Sequence, residues 1–144
     1  MEDEYLLDTV AVIEILTGQE KMKRWLENNK SAILNISGWV ILELLQYRAK
    51  SKTEMDMTLK KLSQYKTLWT EPKFADEVPT LLINHFHSQR RSNGTLSGNA
   101  IFDALIYSSA KSYNQKLLTR DKHFEGLKDV EVVNLDIIDN GAYK

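Results

Sequence analysis

Residues 5–13 read YLLDTVAVI, and Asp8 is the only charged residue among them. Leu6 and Leu7, after Tyr5, make a short apolar run that stops at Asp8, the pattern of a buried first strand. A helical pattern follows over residues 9–16 and ends at Thr17-Gly18, a C-cap pair. Outward from there, residues 19–29 read as a second helix with Met22, Trp25 and Leu26 as its apolar stripe. Residues 32–36 read as a strand, broken by Ser37-Gly38. Long helices are predicted over 39–50 and over 53–69, the latter offering Met57, Leu59, Leu62, Tyr65 and Leu68 to the core. A helix is expected over 76–89, with Pro79 in its first turn, and a polar loop over 90–98. Residues 99–113 form a strongly apolar helix with Ser97 as N-cap, and 116–119 and 130–135 are short strands. Strands alternating with helices predict an α/β fold, a parallel sheet layered with helices. Ligands of such sheets bind beyond the C-terminal strand ends. That rule directs attention to Asp8, to the residues after Ile36, and to Thr119-Arg120-Asp121.

Composition bounds the function classes. The chain has 144 residues, 19 Lys+Arg against 20 Asp+Glu, and no cysteine. One domain is expected, with disulfides, thiolate metal sites and Cys nucleophiles excluded. Near-neutral charge argues against uniform electrostatic coating of nucleic acid. The acidic start MEDEY is not a signal-peptide n-region, and no apolar run reaches about 20 residues, so a soluble, cytoplasmic protein without a membrane partner is expected. No G-x-G-x-x-G or P-loop occurs.

The informative feature is acids inside apolar runs: Asp8 in YLLDTVAVI, Glu43 in WVILELLQY and Asp103 in AIFDALIY. Asp121 closes a further apolar strand in LLTRDKHF. A buried lone carboxylate is costly unless paired or metal-bound. Each acid has a plainer explanation. Asp8 and Asp121 are placed to cap the turns that follow them, and Asp103 could share a polar helix edge with Asn99 and Tyr107. Glu43 would have to reach Arg48 or Lys50, five and seven residues on, outside the favourable helical spacing. Jointly, all four can reach one pocket in this topology, where they would repel one another unless cations intervene. Oxygen donors without thiolate select Mg²⁺ or Mn²⁺.

With these residues in place, the sequence resembles the PIN-domain ribonucleases, and is most similar to the VapC-type toxins of bacterial toxin–antitoxin pairs. Four blocks carry the resemblance in family order: LLDT with Asp8, ILELL with Glu43, GNAIFDALIYSSA with Asp103, and LLTRDKHF with Asp121. Val10 stands where the family often has a small polar residue. The resemblance implies a single PIN-like domain over 1–144, a three-layer α/β/α architecture with a short, mostly parallel central sheet. It implies hydrolysis of RNA by a metal-activated water, leaving a 5′-phosphate and a 3′-hydroxyl. Asp8, Glu43, Asp103 and Asp121 would then be the catalytic set and hold one or two Mg²⁺ (or Mn²⁺) ions. A cognate antitoxin and a homodimer are the implied protein partners.

Thr9 and Thr119 adjoin two of the acids and could orient carboxylates, or could simply serve turns; Asn99 lies one helical turn before Asp103. The residues 45–74 hold 7 basic against 3 acidic side chains, and the rest of the chain 12 against 17. That asymmetry marks either a phosphate-tracking flank or a solvated helix face. Arg90, Arg91 and Arg120, on expected loops near strand ends, are candidate RNA contacts, though Arg120 could instead neutralise its acidic neighbour. His85 and His87 are expected at the surface, and His123 in packing or RNA contact. Two other classes share some of these features. A PIN-like module that binds without cleaving would be favoured by loss of an acid, and none of the four is lost. A receiver-type phosphotransfer domain would need an acidic pair at the first strand end, where Thr9 follows Asp8.

Overall fold

Leu6 and Leu7 expose no surface and lie at the centre of the structure, a computed structural model that describes residues 3–86 and 98–139. They belong to β1 (Glu4–Leu7), the middle strand of a five-stranded sheet. β2 (Ile33–Ser37) and β3 (Lys66–Leu68) extend the sheet on one side, and β4 (Lys116–Thr119) and β5 (Val132–Asn134) on the other. Every pairing is parallel, in the order β3-β2-β1-β4-β5, with Leu7 level with both Ile36 and Leu118. Strands buried on both faces read as continuous apolar runs, which is why YLL and KLLT carry no alternation.

Between strands run α1 (Thr9–Thr17), α2 (Glu20–Asn28), α3 (Gly38–Tyr47) and α4 (Lys52–Leu62). After β3 come α5 (Pro72–Ala75), α6 (Val78–Asn84) and α7 (Gly98–Ser112), and after β5 comes α8 (Leu135–Asp139). Right-handed crossovers put helices on opposite faces when successive strands run left and then right, as they do here, which gives the three α/β/α layers. α7 packs against β2, β4, α3, α5 and α6, so its whole length from Ala100 to Ala110 carries buried residues. Asp8 caps α1 by accepting from the Ala11 amide, and Gly18 closes that helix in the left-handed conformation.

The structure corrects the sequence reading between residues 53 and 75. The expected helix over 53–69 stops at Leu62, and residues 66–68 form β3 instead. Met57 and Leu59, expected in the core, are exposed, while Leu62 and Leu68 are buried. α5 and α8 were not anticipated either. The expected N-cap Ser97 lies outside the described residues, as do His87, Arg90 and Arg91. Among the described residues no helix is long and apolar enough to cross a membrane.

Candidate active site

In a parallel sheet of this order, the connections leave β1 toward β2 on one side and reach β4 on the other. The crevice between the ends of β1 and β4 is therefore the natural ligand position. A cleft of about 310 Å³ lies there, and Asp8, Glu43, Asp103 and Asp121 all line it. Thr9, Tyr47, Arg48, Asn99 and His123 complete its polar and aromatic wall. A larger cavity of about 940 Å³ lies between α6, α7 and the loop around Gly126, where Lys111 is already paired with Glu77 and Asp129.

Asp8 follows β1 and is only 3% exposed. One carboxylate oxygen accepts from the Ala11 amide at 2.9 Å and the other from the Thr119 hydroxyl. Burial pushes its pKa up to about 7. The two hydrogen bonds oppose that rise, and the nearby charges of Asp121 and Glu43 add to it. Thr119, the last residue of β4, also accepts from the Asp121 amide at 2.9 Å. Its hydroxyl thus fixes the loop after β4 against the acid after β1.

Glu43 is buried on α3, just over one turn after its start, and Thr9 donates to its carboxylate. Burial raises its pKa, and the Thr9 hydroxyl opposes the rise. Neither Arg48 nor Lys50 forms an ion pair with it. Asp103 comes from the first half of α7, with Asn99 one turn before it at the same cleft; Tyr107, one turn after, faces the larger cavity instead. Asp121 caps the single 3-10 turn formed by Lys122–Phe124, accepting from the His123 amide at 2.8 Å and from its Nδ1 at 2.7 Å.

Asp103, Asp121 and His123 each bring a ligand atom within 4.8 Å of the other two. His123, expected in packing or RNA contact, stands at the cleft beside two of the acids. Its spacing of two from Asp121 was the available signal, because a tight turn places such neighbours side by side. His85, expected at the surface, is half-buried, and its Nε2 donates to the His123 carbonyl, bracing that turn from α6. Arg120 points away from the cleft. Its guanidinium donates to Glu14 at 2.7 and 2.8 Å and to Asp136 at 2.8 Å, so it ties β4 to α1 and α8.

Four acids on a cleft at the strand ends of a parallel sheet make an oxygen donor set suited to a hard divalent cation. The family model of the PIN domain matches residues 5–130, and the chain belongs to that family. PIN domains are nucleases, which makes this chain a hydrolase of the kind that acts on nucleic acid. Among solved structures it is similar to VapBC2 from Rickettsia felis bound to a DNA fragment from their promoter, at 24% identity and a TM-score of 0.64, covering 91% of this chain and 98% of that one. It is also similar to a toxin–antitoxin complex from Klebsiella pneumoniae, at 23% identity and a TM-score of 0.66, covering 91% and 97%. The DNA-bound VapBC from Salmonella typhimurium matches at 17% identity and a TM-score of 0.66, covering 94% and 99%. Comparison with curated proteins returns no match.

Proposed function

We propose that the chain is a Mg²⁺- or Mn²⁺-dependent endoribonuclease, the toxin of a toxin–antitoxin pair, acting in the cytoplasm as a homodimer. The observation that carries this reading is the convergence of Asp8, Glu43, Asp103 and Asp121 on one cleft at the strand ends. The donor set fits a hard divalent ion: carboxylate oxygens, at most one imidazole, and no thiolate. Asp8 fits as well, because a buried carboxyl whose pKa sits near 7 has an anion that lacks a matching cation. Asp8, Glu43, Asp103 and Asp121 would hold one or two ions, with His123 adjacent. A bound ion supplies an acidified water as nucleophile and positive charge opposite the phosphate. Thr9 and Thr119 orient the carboxylates of Glu43 and Asp8, and Asn99 offers an amide to the same cleft. The antitoxin partner is supported by the neighbours described as toxin–antitoxin and VapBC complexes.

The test is cleavage of a single-stranded RNA with Mg²⁺ or Mn²⁺, with EDTA as control and a DNA of the same sequence alongside. RNA products with 5′-phosphate ends, lost in EDTA and in Asp103→Asn, are expected. Cleavage that survives EDTA would remove the metal site, and cleavage of DNA alone would remove the RNA assignment.

A further inference from the structure

The cleft has a second set of residues besides its acids. Tyr47 and Arg48, the last residue of α3 and its C-cap, line it together with Asp8, Glu43, Asp103 and Asp121. Arg48 is the one Lys or Arg among the described residues of that lining. It is exposed, and it makes no ion pair among the described residues although four carboxylates share its cleft. Arg120 shows the contrast, with its guanidinium consumed by Glu14 and Asp136. A cation beside the C-terminal carbonyls of a helix is favourable in itself. That alone explains the charge of Arg48 but not an aromatic beside it. Tyr47 is 52% exposed, and its ring is braced at 81° by Phe102 with 6.2 Å between centroids. An exposed, braced aromatic next to an unpaired guanidinium is the pairing that single-stranded nucleic acids use, base on ring and phosphate on fork.

Electrostatics adds a reason for its position. A strand approaching four acids meets repulsion that one or two divalent ions only offset, so the neighbouring phosphate needs a cation of its own. Lys50 and Lys52, both exposed, carry positive charge onward from Arg48 into α4.

We propose that Tyr47 and Arg48 form a nucleotide subsite of this cleft, Tyr47 stacking on an unpaired base and Arg48 gripping the adjoining phosphate. This rests on the ribonuclease reading above.

The experiment uses the full chain carrying Asp8→Asn, so that RNA persists, and a fluorescein-labelled 20-nucleotide single-stranded RNA followed by anisotropy across salt concentrations. Arg48→Gln is expected to weaken binding about tenfold and to flatten the slope of log K against log salt by about 0.7, while Arg48→Lys keeps the slope. Tyr47→Ala is expected to weaken binding about tenfold with the slope unchanged, and Tyr47→Trp to keep the affinity. With Asp8 restored, both weakened variants should raise KM and leave kcat within about threefold. The inference is overturned if the Asp8→Asn chain binds RNA and neither Arg48→Gln nor Tyr47→Ala changes that binding. It is also overturned if the two changes alter only the association of protein copies in sedimentation, which would make this face a protein interface. If the unsubstituted chain neither binds nor cleaves RNA with divalent metal present, the ribonuclease reading falls, and the subsite with it.

Discussion

Asp8 serves two purposes with one carboxylate: one oxygen caps α1 and the other faces Thr119 and the cleft. Its pKa near 7 in the fold, against an ordinary 3.8, has a definite consequence for stability. Between about pH 4 and 7 the folded chain keeps this proton and the unfolded chain does not. The associated stability is fully present below pH 4 and falls as pH rises toward 7, by up to about 4 kcal/mol. Glu43 shifts in the same direction and adds to the slope. Asn caps a helix as well as Asp. Asp8→Asn should therefore fold, lose cleavage, and show a flatter melting temperature against pH than wild type when both are scanned in EDTA. Parallel curves would refute the raised pKa. Thr119 tests the same contact from the other strand. Thr119→Val keeps the shape but removes the acceptor for the Asp121 amide and the donor to Asp8. A loss of roughly 1–3 kcal/mol in urea unfolding and at least about tenfold in cleavage rate is expected.

At the scale of elements, α3 is tightly placed at its start. A Cβ added at Gly38 would sit 2.4 Å from the Trp69 ring, whose edge-to-face partner is Trp39 at 5.1 Å. Gly38→Ala must push that ring aside, with about 1–3 kcal/mol lost in chemical unfolding. Since α3 carries Glu43 as well as Tyr47 and Arg48, activity should fall with it. Arg120→Gln is expected to lower stability by about 1–3 kcal/mol, because it leaves Glu14 half-buried without its partner. RNA affinity unchanged in that variant would confirm that Arg120 is a staple between elements. Sequence reading found β1, α1, α2, β2, α3, α7 and β4 because each shows an apolar run or stripe with clear punctuation. It missed β3 because Lys66-Thr67-Leu68 holds a single fully buried residue, and its strand pairing comes from β2 rather than from its own pattern. It misread the outer face of α4 because Met57 and Leu59 fit a helical stripe yet stay exposed among the described residues.

At the scale of the whole molecule, residues 8, 43, 103 and 121 meet only because the parallel sheet stacks the ends of its middle strands along one edge. The acids were legible in sequence as charges out of place in apolar runs. Their supporting hydroxyls were legible only as neighbours, and the place of His123 at the cleft only as its spacing of two from Asp121, because a tight turn leaves no periodic trace. On the proposed metal reading, a divalent ion would offset the charges of Asp121 and Glu43 that bear on Asp8, so ion binding and folding would be linked. Saturation to about 100 times Kd adds about 2.7 kcal/mol to stability. For a chain of this size that corresponds to a rise of roughly 5–10 °C in melting temperature. The rise depends on pH with a known sign. A carboxylate must be deprotonated to hold a cation, and Asp8 keeps its proton until about pH 7. Millimolar MnCl₂ should therefore raise the melting temperature at pH 8, do little at pH 5, and do little at either pH in Asp103→Asn. An equal rise at both pH values, or one retained in Asp103→Asn, would place the ion elsewhere on the protein.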